Sequence, residues 1–269
     1  MARFAVGVEY DGSGFAGWQR QRHAVRTVQA IVEQALSQVA AEPLQLQCAG
    51  RTDTGVHATA QIAHFDSAAI RPLHAWLLGG NANLPDDVAL RWVVPVSDHF
   101  HARFSALRRR YRYLILNQPT RSALQRQRVC WERQPLDLSA MQQAATHLLG
   151  EHDFSAYRAA GCQAKQPVRT IYHLQLWREG DMLLLEVEAN AFLHHMVRNI
   201  AGVLLTIGRG EQPPAWAGTV LASRDRRAAG ATAPPGGLYL TAVHYPAEFK
   251  LPQTPTLPQQ LPLFSPPPL

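Results

Sequence analysis

The segment Gly50-Arg51-Thr52-Asp53-Thr54-Gly55-Val56-His57-Ala58 sets a guanidinium, a carboxylate and an imidazole within seven residues and flanks them with glycine. Glycine accepts positive φ, so the backbone here can hold a carboxylate at a fixed angle. The segment is therefore a candidate active-site loop, with Asp53 as its reactive group. The same residues also suit a plain Asx turn in which Asp53 accepts the amide of Gly55, and the loop alone does not separate the two. Asp53-Thr54-Gly55 spells the DTG of aspartic proteases as well. Those enzymes share a proton between two carboxylates in an all-β chain, whereas this sequence has one copy, plain helical patterns, and Arg51 placed to keep Asp53 ionised.

A second constellation, Arg108-Arg109-Arg110-Tyr111-Arg112-Tyr113, opens a strand-like run. With a period of two, Tyr111 and Tyr113 point one way while Arg110 and Arg112 point the other. Arginines that grip phosphate beside a tyrosine that stacks a base form a nucleic-acid pattern. A tyrosine pair packed on a core, with solvated arginines behind it, uses the same residues structurally. A third segment, NAFLHHMVRNIAG at 190–202, passes from a strand end into an apolar helix. Arg198 lies on that helix, and a partly buried guanidinium there requires a carboxylate. His194 and His195, adjacent on a helix, point in different directions with no third ligand in view, so no metal site is expected.

These segments need a scaffold, and its elements show in the hydrophobic pattern. Alternation over 3–10 puts Phe4, Val6, Val8 and Tyr10 on one face of a strand. Thr27 can cap a helix through Val28, Ile31, Val32, Ala35, Leu36 and Val39 that ends near Pro43. Strands at 44–49 and 61–66 flank the polar segment, Pro72 opens a helix that Gly79-Gly80 stops, and 88–96 is a further strand. The order is β-α-β-β-α-β. It repeats after Ala106, with a strand at 111–117, an extra strand near Val129 and Trp131, and a helix capped by Asp137 or Ser139 with Gly150 past its end. Strands at 169–178 and 182–189 follow, joined across Glu179-Gly180-Asp181, then a helix from Met196 to Gly208 and a strand at 238–244. The expected fold is α+β, with two ferredoxin-like halves at 1–105 and 106–246. Residues 247–269, with prolines at 252, 255, 258, 262 and 266–268, read as a disordered Pro-rich tail with a PxxP spacing and no part in the chemistry.

The whole chain, 269 residues with 46% hydrophobic and 17% charged, has the composition of a globular protein able to bury two cores. No stretch approaches the ~18 apolar residues of a membrane span, so a soluble, cytoplasmic protein without a membrane partner is expected. Cys48, Cys130 and Cys162 stand far apart without a CxxC pair, against a disulfide framework or zinc. Lys165 and Lys250 are the only lysines among 26 basic residues, set against 20 acids, and the pI is about 9.6. Arginine's planar fork suits phosphate and stacks on bases, which makes nucleic acid the leading partner class. A GC-rich coding bias is the other source of such an excess.

With those segments in view, the sequence resembles the tRNA pseudouridine synthase A family. The matching runs are YDGSGFAGWQRQ at 10–21, AGRTDTGVHA at 49–58, FHARFSALRRRYRYLI at 100–115, NAFLHHMVRNIAG at 190–202 and TAPPGGLYL at 232–240. The resemblance implies two ferredoxin-like halves joined into one continuous antiparallel sheet with helices on one face and the active site in a basic cleft between the halves. It implies that Asp53 is the catalytic aspartate, that Arg198 pairs with it, that Tyr111 stacks on the target base, and that Arg51 holds the RNA where the base has left the helix. Arg110 and Arg112 are expected to bind substrate alongside. It further implies a homodimer acting on uridines 38, 39 or 40 of the tRNA anticodon stem-loop with no cofactor or metal. The rival reading is a non-catalytic RRM-like RNA-binding protein, which shares the element order. An RRM needs an RNP1-like run on its third strand, and this sequence has none.

Overall fold

The computed structural model describes residues 1–21 and 25–252. Its described residues comprise two compact units, one of residues 1–109 and 239–252 and one of Arg110–Leu238. The first unit holds β1 (Ala2–Tyr10), α1 (Val28–Ala40), β2 (Gln47–Cys48), β3 (His57–Ser67), α2 (Leu73–Ala82) and β4 (Val88–Val96). The second holds β5 (Arg108–Asn117), β6 (Cys130–Glu132), α3 (Leu138–Thr146), β7 (Gly150–Asp153), β8 (Val168–Glu179), β9 (Met182–Ala189), α4 (Met196–Gly208) and α5 (Trp216–Ser223). β10 (Leu238–His244) then returns to the first. Among the described residues no helix is long and apolar enough to cross a membrane.

In the first unit the strands lie in the order β4-β1-β3-β10. β1 is antiparallel to both neighbours, with Phe4 opposite Phe65 and Gly7 opposite Ile62 and Trp92. Alternation then gives the sheet two covered faces. On one, Phe4 meets the rings of Phe65 and Trp76 at 5.4 and 5.3 Å, and α1 buries Val28, Val32 and Leu36. On the other, Ala5, Ile62 and Trp92 form a second core with Ala49, Phe100 and Ala102, closed by Val243, Tyr245, Phe249 and Leu251.

Four expectations are corrected here. The sheet is mixed rather than antiparallel throughout: β10 runs parallel to β3 through Tyr239–His57 and Leu240–Ala58, and β6 runs parallel to β5. Alternation reports which face a side chain takes and is blind to strand direction, which topology sets. β3 starts at His57, so part of the expected polar turn is strand, while the strand expected at 44–49 shortens to Gln47–Cys48. α2 runs through Gly79 and Gly80 instead of stopping there. A Cβ on Gly80 would stand 2.5 Å from Leu90 Cδ1 and 3.4 Å from Leu36 Cδ2, so glycine serves close packing in this helix rather than its termination. Finally, the Pro-rich segment does not begin at 247. Ala247–Phe249 forms a 3-10 turn and Phe249 packs on Phe100 at 5.1 Å; the tail from residue 253, with most of its PxxP spacing, lies outside the described residues.

The second unit orders its strands β5-β9-β8-β7. β8 and β9 form the expected antiparallel hairpin, closing at Glu179–Met182 around Gly180 at φ +58°. Asp137 caps α3 by accepting the Ala140 amide, and α4 buries eleven of its residues, Ile200, Val203, Leu204 and Ile207 among them. β7 and α5 were not foreseen, since Gly150–Asp153 has no apolar alternation and α5 has no side-chain cap to announce it.

Burial in the second core of the first unit has a pH consequence. His64 is buried, accepts the Ala102 amide on Nδ1 at 3.1 Å, and lies 4.6 Å from the ring of His101. Burial first, then the nearby charges of His101 and Arg3, pushes its pKa down from 6.5 to about 4. The folded chain therefore keeps the imidazole neutral where the unfolded chain takes up a proton. Stability should fall as pH drops from 6.5 towards 4, by up to about 3 kcal/mol from this group. Urea unfolding midpoints measured down this range should show the loss, and His64→Gln should flatten it. An unchanged acid limb in that variant would contradict the assignment.

Candidate active site

The candidate loop leaves β2 after Cys48 and enters β3 at His57, so both of its ends are tied to strands. Arg51 is exposed, Thr52 buried and Asp53 half-buried. Inside the loop, Val56 N–H donates to Asp53 O at 3.1 Å, and Gly55 takes φ +77°. The Gly55 amide points to the carbonyl of Phe15 at 3.4 Å, so the backbone of the loop is bound to another segment as well as to itself.

That segment is residues 10–18. Trp18 N–H donates to Thr52 O at 3.0 Å, and the Tyr10 hydroxyl shares a 2.8 Å hydrogen bond with Thr52 Oγ1. Gln61 Nε2 donates to Gly50 O at 2.6 Å from the far side. Gly12 N–H donates to His57 Nδ1 at 3.0 Å, while the His57 ring stacks on Tyr239 with centroids 4.6 Å apart. The approach is so close that side chains are excluded. A Cβ on Gly17, which sits at φ +90°, would fall 2.7 Å from Thr52 O and 3.1 Å from Asp53 C; one on Gly12 would fall 2.0 Å from Val56 O. Asp11 caps the short turn at Gly12–Gly14 by accepting the Ser13 amide. None of Tyr10, Asp11, Gly12, Gly17, Trp18 or Gln61 is marked by the sequence pattern as a support of the Asp53 loop. The glycines within the run at 10–21 were the available signal.

Arg109 is a further residue that sequence reasoning passed over. It is buried, and its guanidinium donates to the carbonyls of Ala106 at 3.0 Å, Ala49 at 3.0 Å and Arg103 at 2.6 Å. One cation thus ties the residue just before the Asp53 loop to the loop at 100–106.

In the second unit the alternation on β5 is as expected, with Arg110 and Arg112 on one face. Arg112 Nε pairs with Glu186 Oε2 at 2.6 Å, and Arg110 Nη2 pairs with Glu188 Oε2 at 2.8 Å. The side chains of Arg112 and Glu186 are only 10% and 2% exposed, so Arg112, expected to bind substrate, is a buried ion-pair member. Arg110 is half-buried and likewise engaged by carboxylates. The signal was present as Glu186 and Glu188 at the matching period on β9, but register between strands is not legible from either strand alone. On the other face Tyr111 is buried edge-to-face against Phe192 at 5.0 Å, and Tyr113 donates its hydroxyl to Pro234 O at 2.7 Å.

Arg198 lies in the first turn of α4. Its Nε donates to Ala233 O at 2.8 Å, and its own carbonyl accepts the Ala233 amide at 3.1 Å. Asn199, fully buried beside it, donates to Tyr157 O at 2.7 Å and accepts from Thr232 Oγ1 at 2.6 Å. The start of α4 is therefore clamped to 232–233. His194 and His195 are not on the helix: His195 is its N-cap at φ +60°, and the two rings lie 4.0 Å apart.

A family profile described as tRNA pseudouridine synthase matches residues 7–105 and 144–246. A tRNA pseudouridine synthase A of Alcanivorax borkumensis is 56% identical over 97% of this chain and 98% of its own, and one of Nitrosococcus oceani is 57% identical over 93% and 96%. One of Pseudomonas aeruginosa is 55% identical over 94% of this chain and 89% of its own. Among solved structures, a Cbf5-Nop10-Gar1 complex aligns at TM-score 0.38 and 12% identity over 88% of this chain and 48% of that chain, a likeness too distant to carry an argument. With a profile match across most of its length and more than half of its residues shared with these relatives, the chain belongs to the tRNA pseudouridine synthase family.

Proposed function

We propose that Asp53 is the carboxylate through which this chain isomerises uridine to pseudouridine in the anticodon stem-loop of tRNA, at positions 38, 39 and 40. The reaction breaks the bond from uracil N1 to ribose C1′ and forms one from C5 to the same carbon. N1 gains a proton, C5 loses one, and nothing is exchanged with a second substrate. The target base must first leave its stack, at a cost of a few kcal/mol, and an aromatic face worth about 1–3 kcal/mol offsets part of it. Tyr111 is the residue assigned to that face. A carboxylate suits attack on ribose C1′ or on the uracil ring, provided it stays ionised and fixed in direction. Arg198 is assigned as its cation, and Arg51, exposed at the start of the loop, as the residue that meets the RNA.

The observation that carries this reading is the frame around Asp53, in which two close-approaching glycines, Trp18 and Gln61 hold the loop backbone and Tyr10 holds the Thr52 hydroxyl. Pre-organisation of this kind is what a single reacting carboxylate needs. The chain works in the cytoplasm as a homodimer in this reading, with both subunits on one tRNA; light scattering reporting a monomer on tRNA would remove that part. The test of position is a set of unmodified tRNA transcripts that carry or lack uridine at 38–40. Pseudouridine should form in the first and not in the second, and equal formation at other uridines would overturn the assignment.

Two variants separate roles. Tyr111→Ala should lower turnover by about 5- to 150-fold, the equivalent of one stacked base, with a smaller effect on Kd. Arg198→Ala should lower turnover as well. A weakened Kd with intact turnover in the first, or normal turnover in the second, would contradict the roles given.

A further inference from the structure

The loop at 100–106 contains one aromatic side chain at its base and another at its tip. Phe100 is fully buried in the second core of the first unit, whereas Phe104 is 76% exposed. Exposed side chains on mobile loops need no explanation, but this loop is fixed at every turn. Ala102 N–H donates to His64 Nδ1 at 3.1 Å, and Ala102 O accepts from the Tyr245 hydroxyl. Arg103 O accepts from Arg109. His101 Nδ1 accepts the amides of both Arg103 and Phe104 at 3.1 and 3.2 Å, and His101 N–H donates to Ser105 Oγ at 3.0 Å.

The Phe104 ring is itself held in direction. One side lies against the His101 ring with centroids 4.3 Å apart, and the Arg103 guanidinium carbon stands 5.6 Å from its centroid. Leu107 and Arg108, which follow in the chain, are exposed as well, and Arg103 gives the ring a cationic neighbour. Through Arg109, the same loop is tied to Ala49, immediately before the Asp53 loop. The patch and the candidate loop thus belong to one rigid piece of the first unit.

We infer that Phe104 is a substrate-binding residue, an aromatic platform on which an unpaired base of the tRNA stacks while Arg103 meets the adjoining phosphate. The proposal rests on the assignment of a tRNA substrate and deepens it. The charge of the patch favours an RNA occupant over an apolar one, because arginine beside an aromatic face serves phosphate and base together. The ring is positioned before substrate arrives, so no side-chain ordering is charged against stacking.

The test compares wild type, Phe104→Ala, Phe104→Trp and Arg103→Ala with an unmodified tRNA transcript, reading Kd, KM, kcat, thermal midpoint and mass in solution. Phe104→Ala should raise Kd and KM by about 5- to 150-fold with kcat changed less, Phe104→Trp should restore binding, and Arg103→Ala should weaken binding in a salt-dependent manner. Thermal midpoint and mass should not move. Unchanged Kd and KM in Phe104→Ala would overturn the proposal, as would a change in mass, which would place Phe104 between two copies of the chain. Failure of wild type itself to form pseudouridine would instead count against the parent reading.

Discussion

Asp53→Asn is expected to abolish pseudouridine formation, with a loss on the order of 10⁴-fold or more in turnover, while tRNA affinity stays within a few fold of wild type. The replacement is nearly isosteric and leaves the backbone hydrogen bonds of the loop in place: Val56 to Asp53 O, Trp18 to Thr52 O and Gly55 to Phe15 O. What it removes is the negative charge and its nucleophilic oxygen. A carboxamide cannot form the covalent bond or stabilise the developing positive charge at the sugar, so the loss falls on kcat. Affinity is carried by phosphate and base contacts elsewhere and should survive. Single-turnover conversion measured beside filter-binding Kd decides the matter. Retained activity would refute the catalytic role, and a loss explained wholly by Kd would make Asp53 a binding residue.

Gly17→Ala should give the second large effect, through geometry alone. Gly17 holds φ +90°, and its absent Cβ would sit 2.7 Å from Thr52 O, 3.1 Å from Asp53 C and 3.2 Å from Thr54 N. Alanine therefore meets backbone on the far side, which cannot rotate away as a side chain could. Either the 10–18 segment retreats or the Asp53 loop shifts, and a displacement near 1 Å costs on the order of 10²-fold in rate. The strained φ adds about 1–3 kcal/mol of destabilisation. Gly180→Ala is the matched control. It also has positive φ, at +58°, but no atom lies within 4 Å of its Cβ and it closes the β8–β9 hairpin. That variant should lose stability and keep its kcat. Equal kcat losses in the two would show that general destabilisation, and not the position of Asp53, is being measured.

How much of this was legible in sequence depends on how far apart the interacting residues lie. The Asp53 loop could be read because its arginine, aspartate, histidine and glycines are contiguous, and β4, β9, α4 and β10 because each carries a sustained period. The frame of the loop was not, since Gly17 and Trp18 act on Thr52 and Asp53, and Gly12 on Val56 and His57, across a helix and a strand, and no local pattern records such an approach. The ion pair of Arg112 was not legible, because its partner, Glu186, lies on β9, far along the chain. Gly79-Gly80 was taken for a helix stop because glycine's local cost is visible in sequence, whereas the Leu36 and Leu90 side chains that require its small size are not. The parallel course of β10 was missed for a related reason, because residues 239–240 report a face and not a direction.

The most direct measurement incubates the purified chain, with no additive, with a tRNA transcript bearing uridine at 38–40, and follows pseudouridine by its specific chemical derivative while the mass of the RNA is checked. The account predicts pseudouridine in the anticodon stem-loop with no change in RNA mass, since the product is an isomer. RNA that is bound and recovered with every uridine intact would contradict it.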